Sequence, residues 1–225
     1  MKSLLQNKKI LITAGPTREY LDPVRFISNE SSGKMGYAIA EALHQFGADV
    51  YLVSGPVTIS YSFPEEKIIH AKSAKQMYDA CLPFFDTLDI AVFCAAVADY
   101  TPKTNYNQKI KKIENEIAIE FVKNIDIAFE FGKIKKQHQK SVGFALETNN
   151  VLDNTKAKLK KKNFDLIVSN SPNKDEGFGY DTNKICIIDQ KLSLKSFQLK
   201  SKQEVAQDIV NAIIEMYNPV EIASI

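Results

Sequence analysis

The chain has 225 residues, 44% of them hydrophobic, with 29 basic against 27 acidic side chains for a net charge of +2; it can bury one full core, and it lacks the global field that would attract nucleic acid. Cys81, Cys94 and Cys186 are widely spaced, odd in number and set in apolar runs, which excludes a cysteine zinc site or a disulfide framework and reads as reduced core thiols. No apolar stretch approaches the ~20 residues of a membrane span, and MKSLLQNKKILITAG lacks a signal-peptide core and cleavage site, so the expected setting is cytoplasmic.

Six near-continuous apolar runs follow in chain order: KILITAG (9–15), DVYLVSG (49–55), KIIHA (67–71), DIAVFCAAVA (89–98), SVGFALE (141–147) and DLIVSN (165–170). Such runs mark strands covered on both faces. Between them, residues 34–46, 73–86, 125–138 and 151–163 carry apolar residues at three- and four-residue spacing, with Ser73 and Asn150 placed as caps. Strand alternating with helix gives βαβ units and a parallel sheet. NKICIID (183–189) and LSLKSFQLK (192–200) read as an antiparallel edge extension before a last helix near 202–217. The expected fold is therefore α/β, a single domain over 1–225 built as a three-layer, Rossmann-like parallel sheet with helices on both faces.

One segment breaks the rhythm. Between Tyr100 and Lys123, KIKKI and IAIEF show period-2 character around Glu114, Asn115 and Glu116, which reads as an inserted hairpin arm able to cover a site or reach a second subunit. Lys109, Lys111 and Lys112 fall in this arm; on that reading Lys109 and Lys111 share a face, and the pair can close over phosphates when the hairpin folds down. A lysine run is more often a solvated face.

The densest chemistry lies in DPVRFISNESSGKMGYAIAEAL (22–43). In doubly wound sheets ligands bind at the carboxyl ends of strands, where a helix amino terminus offers unpaired N–H groups and partial positive charge to phosphates. Ser31, Ser32, Gly33 and Gly36 supply that end, with charge from Lys34. About seventeen residues separate Gly15 from Gly33, with no G-x-G-x-x-G between them, which disfavours the NAD(P)-dependent oxidoreductase that the sheet alone would admit. An ordinary helix cap is the plainer reading of SSG; a long loop carrying Arg25 and Asn29 argues for a ligand.

Read together, ILITAGPTREYLDPVRFISNESSGKMG, VSGPV, AAVADYTPK, QKIKK, KNIDIA, VGFALETNN and the lysine-rich stretch leading into NFDLIVSN resemble the phosphopantothenoylcysteine synthetase (phosphopantothenate cysteine ligase) family in its bacterial form. The resemblance runs in order from about residue 9 to residue 189. It implies activation of 4'-phosphopantothenate by CTP to an acyl-cytidylate with loss of pyrophosphate, then condensation with L-cysteine. It also implies Mg2+ and a homodimer whose arm completes the neighbour's site. Neither flavin nor NAD, and neither nucleic acid nor membrane, is expected. Bacterial members are usually fused behind a flavin-dependent decarboxylase, and this chain looks like a stand-alone form linked to a separate decarboxylase.

Carried over residue by residue, the resemblance makes Asn29, Arg25 and Lys109 the candidate catalytic residues. An amide such as Asn29 can donate to a developing oxyanion and accept from an amine, and the planar fork of Arg25 suits a carboxylate or phosphate. Nucleotide contact falls to Gly15, Ser31, Ser32, Gly33, Gly36, Phe93, Cys94, Ala95, Asp99, Lys109, Ile125, Asp126, Ile127, Ala128, Phe144, Lys158 and Lys162. Lys158 and Lys162 share a helix face at i, i+4. Asp99 is placed to hold either a ribose hydroxyl or the metal. Without the resemblance Phe144 reads as core, and Asp99 as a loop residue. Two positions depart from the family pattern: Pro16 replaces a glycine, and Glu30, where a basic or polar residue is common, is expected to face solvent.

Overall fold

A computed structural model of the chain describes residues 4–111, 116–146, 149–170 and 180–217. Six parallel strands, β1 (Lys9–Ala14), β2 (Asp49–Ser54), β3 (Ile68–His70), β4 (Ile90–Phe93), β5 (Lys140–Leu146) and β6 (Leu166–Asn170), are followed by β7 (Cys186–Asp189) and β8 (Leu194–Ser196). They form one sheet in the order β8-β7-β6-β5-β4-β1-β2-β3, antiparallel only at the β6/β7 and β7/β8 junctions. The strand order reverses between β1 and β4. There the connections leave in opposite directions and open a crevice at the strands' carboxyl ends.

Helices α1 (Lys34–Gln45) and α5 (Lys202–Glu215) cover one face; α2 (Ala74–Phe85), α3 (Ile127–Ile134) and α4 (Val151–Lys161) cover the other. Alternation along β1 divides the core: Ile10, Ile12 and Ala14 pack with α1 and α5, while Leu11 packs on the opposite side with Met77, Phe131 and Leu159. Burial on both faces is why these strands are apolar throughout. Each fully buried Leu or Ile contributes roughly 1.5–3 kcal/mol, so the two layers hold the sheet. Ser73 caps α2 as predicted, accepting from the N–H of Gln76 at 3.2 Å in a capping box. Asn150 stands at the cap position of α4 in a left-handed conformation (φ 46) without a side-chain cap bond.

Four predicted elements change. The DIAVFCAAVA strand ends at Phe93. Beyond it the chain parts from β5 and follows the exit of β1: Ala96 N–H donates to Gly15 O at 2.9 Å and Thr17 N–H to Ala96 O at 3.2 Å. The predicted helix over 125–138 stops at Ile134, because Lys135 turns away to Asp165 at 2.7 Å and Gln139 donates to the carbonyls of buried Phe85 and Leu88. The edge segments are broken by Leu192, at φ 64, and Thr182–Asn183 leaves the sheet to pair with Lys200–Ser201.

The fourth change is the arm. A short ribbon pairs Tyr100–Pro102 with Phe121–Lys123, but KIKKI and IAIEF form no strands in residues 109–111 and 116–120; Lys112, Glu114 and Asn115 lie outside the described residues. The segment is instead clipped to a second ribbon, Arg18–Tyr20 with Phe26–Ser28. Tyr106 N–H donates to Leu21 O at 2.9 Å and Ile110 N–H to Asp22 Oδ2 at 3.1 Å. These backbone groups find partners on the Asp22 turn and have no need of a hairpin partner. Lys109 and Lys111 therefore do not share a strand face.

Candidate active site

The crevice is built from the mouth of α1. Gly33 occupies the N-cap at φ 82 with no side-chain cap bond; the hydroxyls of Ser31 and Ser32 accept the N–H groups of Gly33 and Lys34 at 3.3 and 3.5 Å. The N–H groups of Met35 and Gly36 are left for a ligand. Glycine is required twice here. A Cβ at Gly33 would lie 2.6 Å from Val57 Cγ1, and one at Gly36 would lie 2.5 Å from the Cβ of Ala14, so the helix seats directly on β1. Gly15, at φ 74, lies under the same Val57 and forms the floor of the turn without lining the cavity.

Two cavities meet at this point. The first, of about 340 Å³, is lined by Asn29, Ser31–Gly36, Cys94–Val97, Asp99, Phe144, Leu146, Lys158, Asn170, Asn183 and Lys202. That volume is of small-molecule size. The second, about 140 Å³, is lined by Thr13, Phe93, Ala95, Val97–Asp99, Asn124–Ala128, Phe144, Lys162 and Phe164. Ala95, Val97, Asp99 and Phe144 belong to both, so the crevice is one two-lobed site with a shared wall.

Most of the predicted residues converge there. Ser31, Ser32, Gly33, Gly36, Cys94 and Lys158 line the first lobe; Phe93, Ile125, Asp126, Ile127, Ala128 and Lys162 line the second. Lys158 lies in α4, whereas Lys162 stands at its C-cap and not on the helix proper, and the two reach different lobes. Asn29 donates to Ala96 O at 3.0 Å, which holds its amide at the rim of the first lobe. Asp126 caps α3 by accepting from Phe129 N–H at 3.1 Å and also meets Lys162 at 3.0 Å. Glu30 is exposed and lines neither lobe.

Arg25 and Lys109 stand apart. The Arg25 guanidinium lies on Asp22, with Nε at 2.8 Å from Oδ2, and donates to Ile110 O at 2.7 Å. Burial pushes the Asp22 carboxyl up, but the N–H groups of Val24, Arg25 and Ile110 and the guanidinium outweigh it and hold the carboxyl well below the usual range. Arg25 is thus a clamp between the two ribbons, and Lys109 is exposed beside Ile110; neither lines a lobe.

Three polar lining residues of the first lobe escaped the sequence reading: Asn170, Asn183 and Lys202. Asn170 ends β6, where the strand-end rule points. Lys202 had a legible signal of its own, a lysine at the first position of a helix, where the dipole favours an acid. Burial and neighbouring Lys34 push its pKa down against the pull of Asp181. Burial pushes the Cys94 thiol up to about 12, so it packs as an uncharged wall atom.

No group of three or more His, Cys, Asp and Glu side chains suited to a metal exists among the described residues. Asp99 is an exposed carboxylate at the junction of both lobes. One carboxylate at such a junction fits a magnesium ion held mainly by substrate phosphates and water, and does not fit a cation caged by protein alone.

A doubly wound sheet with a polar, two-lobed cleft at its switch point places the molecule among α/β proteins that bind small ligands across the strand ends. Within that class, the chain belongs to the family described as the DNA/pantothenate metabolism flavoprotein C-terminal domain, whose profile matches residues 5–217. It is 46% identical to the coenzyme A biosynthesis bifunctional protein CoaBC of Haemophilus influenzae, over 96% of this chain and 54% of that protein. A protein described as a cysteine/cysteine sulfinic acid decarboxylase, from an unknown prokaryotic organism, is 47% identical over 94% of this chain and 59% of its own length. The chain thus spans only somewhat more than half the length of these curated relatives. Among solved structures, the C-terminal domain of CoaBC superposes with a TM-score of 0.81 at 38% identity, covering 96% of this chain and 99% of that one. The CoaBC relatives are described as bifunctional, and nothing in them supports a stand-alone form.

Proposed function

We propose that the chain is the ligase of coenzyme A biosynthesis that joins 4'-phosphopantothenate to L-cysteine at the cost of CTP, with an acyl-cytidylate intermediate and release of pyrophosphate and CMP. The observation that carries this reading is the two-lobed cleft in a chain so close to the CoaBC C-terminal domain. The chemistry requires a carboxylate to attack an α-phosphate, so two anions have to be brought together and their charge offset.

In this reading the uncapped N–H groups of α1, with Ser31, Ser32 and Lys34, bind phosphate in the first lobe, and Lys158 faces them across it. The base occupies the second lobe against Phe144, Ile125–Ala128 and Lys162, with the wall Ala95–Val97 small enough for a flat ring. Asn29, fixed by its bond to Ala96 O, presents an uncharged amide to the acyl oxygen and then to the cysteine amine. A magnesium ion at Asp99, when bound, neutralises phosphate charge. Arg25, in the turn of one ribbon, and Lys109, in the loop carried by the other, act from outside the cleft. Val24, Phe26, Ile27, Tyr100, Phe121 and Val122 leave apolar side chains exposed on that ribbon pair, and exposed apolar side chains gathered in this way suit an association surface. Its occupant in this proposal is a second copy, whose arm completes the neighbour's cleft. A phosphopantothenoylcysteine decarboxylase, on the same polypeptide or another, consumes the product. The setting is the cytoplasm; no described helix is long and apolar enough to cross a membrane.

The test is pyrophosphate release with CTP, 4'-phosphopantothenate and L-cysteine, repeated with ATP. Release that needs both nucleotide and acid, and runs faster with CTP, is expected. Carbon dioxide release from cysteine without pyrophosphate would instead favour the activity named in the decarboxylase relative.

A further inference from the structure

Two buried side-chain atoms among the described residues have no hydrogen-bond partner, the amide nitrogen of Asn124 and the hydroxyl of Tyr217, and of the two residues only Asn124 borders the cleft, where it lines the second lobe. The chain holds it firmly. Asn124 joins the ribbon strand Phe121–Lys123 to Asp126, the N-cap of α3, and its N–H donates to Asp99 O at 2.8 Å, at the junction of the lobes. Its Oδ1 accepts the N–H of Ile125 at 3.1 Å, which fixes the turn of the amide: reversed, it would set one N–H against another. Nδ2 is therefore a donor without an acceptor. Other polar side chains of this lobe are engaged, Thr13 Oγ1 by Ala95 N–H at 3.3 Å and Asp126 by Phe129 N–H and Lys162. Folding alone gains nothing from an unpaired buried donor, which costs its desolvation.

We propose that Asn124 anchors the base of the nucleotide, with Nδ2 donating to the ring carbonyl beside the glycosidic bond, the O2 of a pyrimidine. The assignment rests on the ligase reading and deepens it. In that reading the phosphates lie in the first lobe and the base in the second, so the sugar crosses the junction at Asp99. The backbone bond between Asn124 and Asp99 puts Asn124 close to that crossing, and O2, which flanks the glycosidic nitrogen, is the base acceptor nearest the sugar. O2 is common to cytosine and uracil. Asn124 therefore grips a pyrimidine without choosing between the two; that choice falls to whatever meets the far edge, where cytosine carries an amino group and uracil a carbonyl.

Calorimetric titration of the full chain with CTP, UTP and inorganic triphosphate tests it. Asn124→Ala is expected to weaken CTP and UTP by the same factor, about threefold to tenfold, and to leave inorganic triphosphate, which has no base, unchanged. Asn124→Asp keeps an acceptor for Ile125 N–H but turns an oxygen toward O2, so it loses at least as much CTP affinity as the Ala variant. A residue serving only to bind Ile125 would show the reverse order, with the Asp variant close to wild type, and that order overturns the assignment. Wild-type affinity for CTP in either variant, or a loss of triphosphate binding by Asn124→Ala equal to its loss of CTP, overturns it as well while leaving the ligase reading standing. A CTP loss without a UTP loss overturns the choice of O2. A wild-type chain that binds no CTP and releases no pyrophosphate removes the ligase reading, and the assignment with it.

Discussion

The two ends of the sheet use the same side chains to opposite effect. At the amino end, Asp165, with its side chain 9% exposed, receives Lys135 at 2.7 Å, Lys140 at 3.2 Å and the N–H of Ser141 at 2.8 Å. Asp89 likewise takes Lys8 at 2.8 Å and the N–H of Lys9 at 2.9 Å. Charge there is closed on itself and ties β4, β5 and β6 to the loops beneath them. At the carboxyl end, lysines outnumber carboxylates among the described lining residues, a helix starts without a side-chain cap, and a 340 Å³ lobe lies beside it. Satisfied polar groups define structure; an uncapped helix mouth opening on a cavity defines a place for a ligand.

Breaking the closed end should have the largest effect. Asp165→Ala leaves Lys135 buried without its carboxylate, and urea denaturation should register a loss of roughly 3–5 kcal/mol with turnover per folded molecule unchanged. A loss below about 1 kcal/mol would mean that this end is no better satisfied than an exposed pair. At the open end, Asn29→Asp puts a charge where, in the proposed reaction, an amide faces the acyl oxygen. Product formation should fall roughly 10²–10³-fold, while CTP titration and melting stay close to wild type; normal turnover would take Asn29 out of the chemistry. The smallest effect belongs to the ribbons, a region between these extremes. The depressed pKa of Asp22 means that its clamp contributes fully above the unfolded carboxylate value, about pH 4, and is lost as pH falls below it toward the folded value. Asp22→Asn, already without the charge, should show a flatter fall of melting temperature on acidification below about pH 4. Parallel curves would remove the clamp from the account.

The sheet was legible because period and length left few alternatives: runs such as KILITA and LIVSN are too apolar for exposed strands and too short for helices. The mouth of α1 was legible because glycines and hydroxyls cluster where a strand gives way to a helix. Less of the arm could be read. Period 2 in KIKKI is real, yet period alone does not name the partner, and the Asp22 turn competed successfully for Ile110. Cys94–Ala98 misled for the opposite reason: small apolar residues suit a strand, and they suit equally a backbone that has to peel from β5 and leave room. Lys202 was hidden by distance, since nothing local says that residue 202 meets residue 34. Arg25 and Lys109 remain proposals because a single chain places both outside the cleft.

The shared wall between the lobes has a consequence for anyone who wants to block this protein. A compound seated against Ala95, Val97 and Phe144 touches the boundary of both chambers. A larger side chain at any of these positions, the simplest route to resistance, would shrink the room for the compound and for the two occupants of the proposed reaction together. Escape variants should therefore arise at the rims, and drugs that lean on the partition should be the slowest to fail.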